Sequence, residues 1–499
     1  MERNGYLFQA PITYYTQEER WDLAPGYAGG HNSRFSRIIE TECITCHNGL
    51  PIPIAGTLNG YEAVPAGIDC ERCHGPGAEH VRQKLAGNLV DTSQFADYTI
   101  VNPAHLPLQA QLDLCQRCHL QGIAVLHDGS DWFDFRPGDR INEHWNVFLP
   151  DFPGNSGQFL MASQAERLQQ SPCFEATGGF ACQSCHNPHL TVRETPRSVF
   201  NKPCRDCHGG GEDCAMPVAE RVADNSDDCS RCHMPRTGSV DIPHVTITDH
   251  RVSVPGRAKP QQNEFAGLAC LTDDDPDALT MAKGYLRFFE AFKNEQSVLD
   301  SAEAYLLRVN GSPDEARRVA LHLAYLRDDM AGAASLVAHR NPADWTDPWA
   351  CYRAGEALGI LGNAQVAETW LKRAVELLPR HPPFIVKHAN ALATLGLAEK
   401  ARTRYLEALA LDNRQADAWS NLGFLEWQAG KPGSAEVRFR RAAALDPDYL
   451  PARIQLVQLL MATKRESEAR EMLRRLQLDH AQDEGVRMLT ERLLGANPG

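Results

Sequence analysis

The sequence predicts a mostly α-helical chain in two parts, a loop-rich first half built on short helices and an all-α second half built as a repeat solenoid. Three observations predict it. Fourteen of the sixteen cysteines lie before residue 235, six times in the pattern Cys-x-x-Cys-His. The segments between those motifs (HGPG, PDFPGNSG, HGGGEDC) are rich in Gly, Pro and Asp, the residues of turns rather than of long helices or strands. After about residue 255 Cys and His thin out, Ala, Leu, Glu and Arg take over, and residues of matching size recur every 34 positions. At 499 residues the chain exceeds one ordinary core. The domains expected are 1–255, a linker at 256–276 (PGRAKPQQNEFAG and the acidic LTDDDPDAL), degenerate helical repeats at 277–346 and regular repeats at 347–496.

The motifs are Cys43-Cys46-His47, Cys70-Cys73-His74, Cys115-Cys118-His119, Cys182-Cys185-His186, Cys204-Cys207-His208 and Cys229-Cys232-His233, each named by its three functional residues. Two thiols three residues apart in a helical turn share one face, so both can add to the vinyl groups of one haem. The histidine that follows is then placed to ligate the iron as proximal ligand. Zinc ribbons and redox Cys-x-x-Cys pairs use the same thiol spacing, but neither requires a histidine directly after the second cysteine. Six haems c in about 230 residues leave only about 40 residues for each, too few for separate cores. The expected arrangement is one array in which the porphyrins serve as core for one another.

A second strong axial ligand makes a haem an electron carrier, whereas an open position lets it bind substrate. Beyond the proximal histidines the first half offers His31, His80, His105, His127, His144, His189, His244 and His250. His80 follows the turn His74-Gly75-Pro76-Gly77, which leads the chain away from its own haem and toward a neighbour's. His189 stands likewise beyond Pro188, His31 lies in a Gly-rich turn, and His244 follows Pro243. These four rank first, His144 and His250 next, and His105 and His127 last. Met161, Met216 and Met234 are rival ligands whose expected role is packing. Cys173, Cys214, Cys270 and Cys351 lie outside the motifs and are read either as disulfide partners or as free thiols.

In the second half Ala367, Ala401, Ala435 and Ala469 stand one period apart, as do Leu371, Tyr405, Phe439 and Leu473. Ala374, Ala408 and Ala442 keep the same step, and Pro379 and Pro447, two steps apart with Asn413 between, close the second helix of their units. The small residue lets two helices approach and the large one fills the space beside it. Trp419-Ser420-Asn421-Leu422-Gly423 opens the clearest unit. Over about 347–483 this resembles the tetratricopeptide repeat. Ala333 and Val337 mark a degraded earlier unit, 278–309 a further helix pair, and 484–495 a capping helix. Arg353, Lys387, Asn421 and Gln455 share one repeat position and are expected to form a polar stripe, either a partner-docking surface or merely a solvated face.

Acidic residues outnumber basic ones, 64 to 50, for a formal charge of -14. Nucleic-acid binding, which needs a basic surface, is not expected. No stretch reaches the roughly 18–20 apolar residues of a membrane span. MERNGYLFQAPITYY has neither the basic nor the apolar region of a signal peptide. Haem is attached to such motifs outside the cytoplasm, so a processed or truncated start and a periplasmic or extracellular location are expected.

Cys70 to His80 (CERCHGPGAEH), Cys182 to His189 (CQSCHNPH), Cys229 to Pro235 (CSRCHMP) and His244 to His250 (HVTITDH), together with the repeats, carry a further resemblance. The chain is similar to bacterial multihaem c-type cytochromes with a tetratricopeptide tail. Its haem part is similar to the architecture shared by tetrahaem carriers and hydroxylamine-oxidoreductase-like proteins. That resemblance implies distal ligation by His80, His189 and His244. It also implies a signal sequence and further haem motifs ahead of a segment like GYLFQAPITYY, which makes six haems a lower bound. The function expected is electron transfer through the haem array, with redox protein partners met at a haem edge and in the repeat groove. One alternative is an oxidoreductase with an open-site haem acting on a small nitrogen or sulfur compound, though no Cys-x-x-Cys-Lys motif is present. A second is a subunit of a homo-oligomer or cytochrome filament.

Overall fold

The computed structural model describes residues 1–27, 34–151, 161–209, 214–239, 241–255, 265–292, 295–310 and 313–493. It divides into two compact units, Met1–Pro53 with Asn59–Asn310, and Ile54–Leu58 with Gly311–Gly499.

In the first unit each motif occupies a helical turn, as the thiol spacing requires: Thr41–His47, Glu71–His74, Leu108–His119, the 3-10 turn Cys182–Ser184, Arg197–Cys207 and Cys229–His233. The last of these is capped by Asp228, whose side chain accepts the Ser230 N–H at 3.0 Å. Short antiparallel hairpins run between them, such as Ile12–Tyr15 with Arg20–Leu23 and Arg236–Gly238 with Thr246–Thr248.

One three-stranded antiparallel sheet departs from the loops expected. Trp145–Asp151 is its central strand, between Ile123–Leu126 and Gly267–Cys270, and Phe148 lies opposite both Ile123 and Cys270. Trp145, Val147 and Phe148 are buried because both faces of this strand are covered. The third strand falls inside the stretch 256–276 read as a linker. The helix Ala278–Ala291 packs on the sheet through Gly284, where a Cβ would lie 3.2 Å from the Phe148 ring. That contact explains why this helix and its neighbour Gln296–Leu306 cluster with the first unit, although the sequence grouped 277–346 with the repeats.

The second unit is a run of antiparallel helix pairs from Pro313–Leu326 to Glu484–Leu493. Ala367, Ala401, Ala435 and Ala469 are fully buried, and Leu371, Tyr405, Phe439 and Leu473 are at most 3% exposed. Ala333 and Val337 are buried in the same core as their regular counterparts. The turn between paired helices needs one left-handed residue, supplied by Gly362, Gly396 and Gly430 at one-period intervals and by Lys464 at the fourth.

Candidate cofactor-binding site

Motifs one, two and three converge. The Cys46 thiol lies 3.4 Å from the Arg117 carbonyl, the Cys118 thiol lies 4.0 Å from the Thr45 carbonyl, and the two thiols are neighbours. Arg72 of the second motif donates to the Thr45 carbonyl, and Arg117 of the third donates to the Arg72 carbonyl at 2.8 Å. Thr45 and Arg72 are 2% exposed and Arg117 is 7% exposed, so the variable residues of three motifs form one buried knot. Burial, reinforced by the facing Arg117, pushes the Arg72 pKa below the ordinary arginine value. The third motif neighbours the fourth, with the Cys115 and Cys182 thiols close to each other. None of the sixteen cysteines is in a disulfide, including Cys173, Cys214, Cys270 and Cys351.

Two pairs of histidines face each other. His74 and His189 have ring centres 6.0 Å apart and planes 6° from parallel; His186 and His250 stand at 6.1 Å and 24°. Two imidazoles sharing one metal, each with a nitrogen about 2 Å from it, place their ring centres about 6 Å apart. The Nδ1 atoms are tied back: His74 to the Val101 carbonyl at 2.8 Å, His250 to Thr248 at 3.0 Å and His233 to Ser253 at 2.9 Å. That bond fixes the tautomer and leaves the Nε2 lone pair as the one a metal would take. Burial pushes the pKa of His186 and of His250 below the usual histidine value, favouring the neutral ring a metal needs.

Other predicted positions are engaged differently. His244 has Nδ1 on Glu18 at 3.0 Å and Nε2 on Asp22 at 2.9 Å, so both nitrogens are committed and His250, not His244, reaches a proximal histidine. His144 Nε2 lies 3.0 Å from Asp139, and His127 Nε2 lies 2.7 Å from Asn146. His80 is held through Nδ1 by Thr99 at 3.0 Å, and among the described residues no second imidazole faces it. His119 is 3.3 Å from Gln164, His47 and His208 are exposed, and His105 is exposed in the turn Pro103–His105. His31 lies outside the described residues. Beside the sixth motif is a cavity of about 1010 Å³, lined by Arg193, Arg197, Arg231, Arg236 and Met234 among others. Four guanidiniums in one cavity suit a group bearing carboxylates, as haem does. The thiol pairs, paired imidazoles and arginine-lined cavity therefore fit haem.

Sequence reasoning missed the Arg72–Arg117 knot, although both arginines occupy the same place in CERCH and CQRCH. It also ranked His250 behind His244. Strand alternation could not separate them, since His244 and His250 flank Thr246–Thr248 an even number of residues apart and a period of two gives both the same face.

In the second unit the repeat-position stripe is tied between neighbouring repeats. Arg353 reaches His322 Nε2 at 3.0 Å, Lys387 pairs with Glu356, and Asn421 donates to Asn390 at 2.8 Å. Ser420 donates to Gln455 at 2.8 Å.

The repeated helix pairs define a tetratricopeptide-repeat class for the C-terminal region, and residues 426–493 match the family model "Tetratricopeptide repeat". Among curated proteins the chain is 28% identical over 186 residues to the human Protein O-mannosyl-transferase TMTC1, covering 36% of this chain and 19% of that protein. It is 22% identical over 180 residues to the Multiheme cytochrome MtrA of Shewanella baltica (strain OS185), covering 33% of this chain and 51% of that one. The chain spans no more than about half the length of the curated relatives it matches. Among solved structures it is similar to YrrB, a TPR protein with an unusual peptide-binding site (22% identity, TM-score 0.31, 37% of this chain and 92% of that one). It is also similar to MamA (16% identity, TM-score 0.28, 37% and 94%). Among the described residues no helix is long and apolar enough to cross a membrane.

Proposed function

We propose that the first unit is a multihaem electron relay, holding a haem c at each of its six motifs, and that the repeats dock a redox partner or assemble the relay. The observation that carries this reading is the meeting of proximal His74 and His186 with His189 and His250 at the spacing of shared axial ligands. The partial likeness to a multiheme cytochrome supports it. Bound haem iron supplies one-electron oxidation and reduction. The chain's own residues hold the macrocycles through paired thiols, fix the imidazoles through backbone carbonyls, and close both faces of at least two sites. Because haem attachment of this kind occurs outside the cytoplasm, the same proposal assigns the protein to the periplasm or beyond it.

The test is mass spectrometry and alkaline-pyridine absorbance of the purified protein, followed by electron paramagnetic resonance. Covalent haem at six motifs and a predominantly low-spin ferric signal are expected. His189→Ala and His250→Ala are each expected to convert one haem to a high-spin form that binds carbon monoxide after reduction. Absence of covalent haem, or zinc in its place, overturns the reading.

A further inference from the structure

The knot of motifs one to three contains an electrostatic oddity. Arg72 and Arg117 are both buried, Arg117 donates to the Arg72 backbone, and the Nε of each has no partner. Among the described residues no carboxylate is bonded to either guanidinium. The nearby acid, Asp69, accepts instead from the Arg72 backbone N–H at 3.2 Å. Aromatic faces complete the surroundings, Phe133 at 5.7 Å from the Arg72 guanidinium and Phe135 at 5.3 Å from that of Arg117. Two like charges buried together without a carboxylate are costly unless the site gains from their field. The thiols around them are Cys46 of the first motif and Cys118 of the third.

Resting on the haem reading above, we infer that Arg72 and Arg117 form a buried dication that raises the reduction potentials of the haems held by the first three motifs. Taking up one electron turns ferric iron into ferrous iron and removes one positive charge from the site. A fixed positive charge close by favours that change, and low dielectric strengthens the effect. Among the described residues neither guanidinium is bonded to a motif histidine, so the two act through charge rather than contact.

The test is a dithionite titration of the full chain at a transparent electrode, resolving the individual midpoints, with Arg117→Met, Arg117→Lys, Arg72→Met and Arg72→Lys. Covalent haem is counted by mass in each variant. Methionine is expected to shift up to three of the midpoints downward while leaving the others unmoved, and lysine, which keeps the charge, to restore most of the shift. If Arg72→Met fails to fold, the Arg117 pair decides alone. Unmoved midpoints in the methionine variant, or an equal shift with lysine, overturn the inference while leaving the relay intact. Wild-type protein without covalent haem removes the relay itself.

Discussion

His381 shows how one side chain ties stability to pH. Its ring packs against Trp349 and Phe384, with centres 5.6 and 4.4 Å away, and its Nε2 is buried without a partner. Burial pushes its pKa down to about 4, from a value near 6.5 in the unfolded chain. The unfolded state therefore takes up the proton first as pH falls, so the contribution is fully present above about pH 6.5 and is lost on the way down to about pH 4. At pH 5 the loss is about 2 kcal/mol relative to pH 7. Replacing the ring by His381→Phe is expected to remove that share of the acid sensitivity, read as a smaller change in the urea midpoint of the second unit between pH 7 and pH 5. An unchanged pH profile in the variant would show that the ring titrates normally. Arg72 and Arg117 make the complementary point about legibility. Their neighbours in the sequence are cysteines and histidines whose spacing announces a function, whereas the meeting of two arginines 45 residues apart depends on folding.

At the scale of the element, the repeat helices were readable because their contacts recur. A residue that must be small for one helix to approach the next is small again 34 positions later, so Ala367 and its equivalents declared their burial before any coordinates did. The strand Trp145–Asp151 had no such repetition. It has Pro150 near its end and is flanked by turn-rich sequence, and its partner Gly267–Cys270 lies more than 100 residues away. Glycines inside Pro348–Ile360 separate packing from propensity. At Gly355 a Cβ would lie 2.5 Å from Leu371 Cγ and 3.2 Å from the Ala367 carbonyl oxygen, whereas at Gly359 the nearest atom is 3.8 Å away. Gly355→Ala is expected to destabilise the second unit by about 1–2 kcal/mol, the overpacking cost less the helix-propensity gain. Gly359→Ala, which gains propensity without a clash, should stabilise it by up to about 1 kcal/mol. Opposite shifts of the thermal midpoint are the measurement, and two shifts of the same sign would count against this account of helix approach.

For the whole molecule, the balance of 64 acidic against 50 basic residues gives a formal charge of -14, which the propionates of the proposed haems would make more negative. An electron relay meets its partners by diffusion, and a net field of one sign speeds encounters with the opposite sign and slows those with its own. The acidic balance that argued against nucleic acid thus selects, among redox proteins, the basic ones. Screening supplies the test: the Debye length falls from about 30 Å at about 10 mM salt to about 8 Å at about 150 mM. The second-order rate of electron exchange with a basic single-haem cytochrome, followed by stopped-flow absorbance, is therefore expected to fall severalfold over that range. With an acidic flavoprotein of similar potential it should rise. Salt-independent rates with both would mean that local charges at the contact, such as the arginines lining the cavity beside the sixth motif, outweigh the net charge. A rate that rose with salt for the basic partner and fell for the acidic one would place the docking face on those arginines.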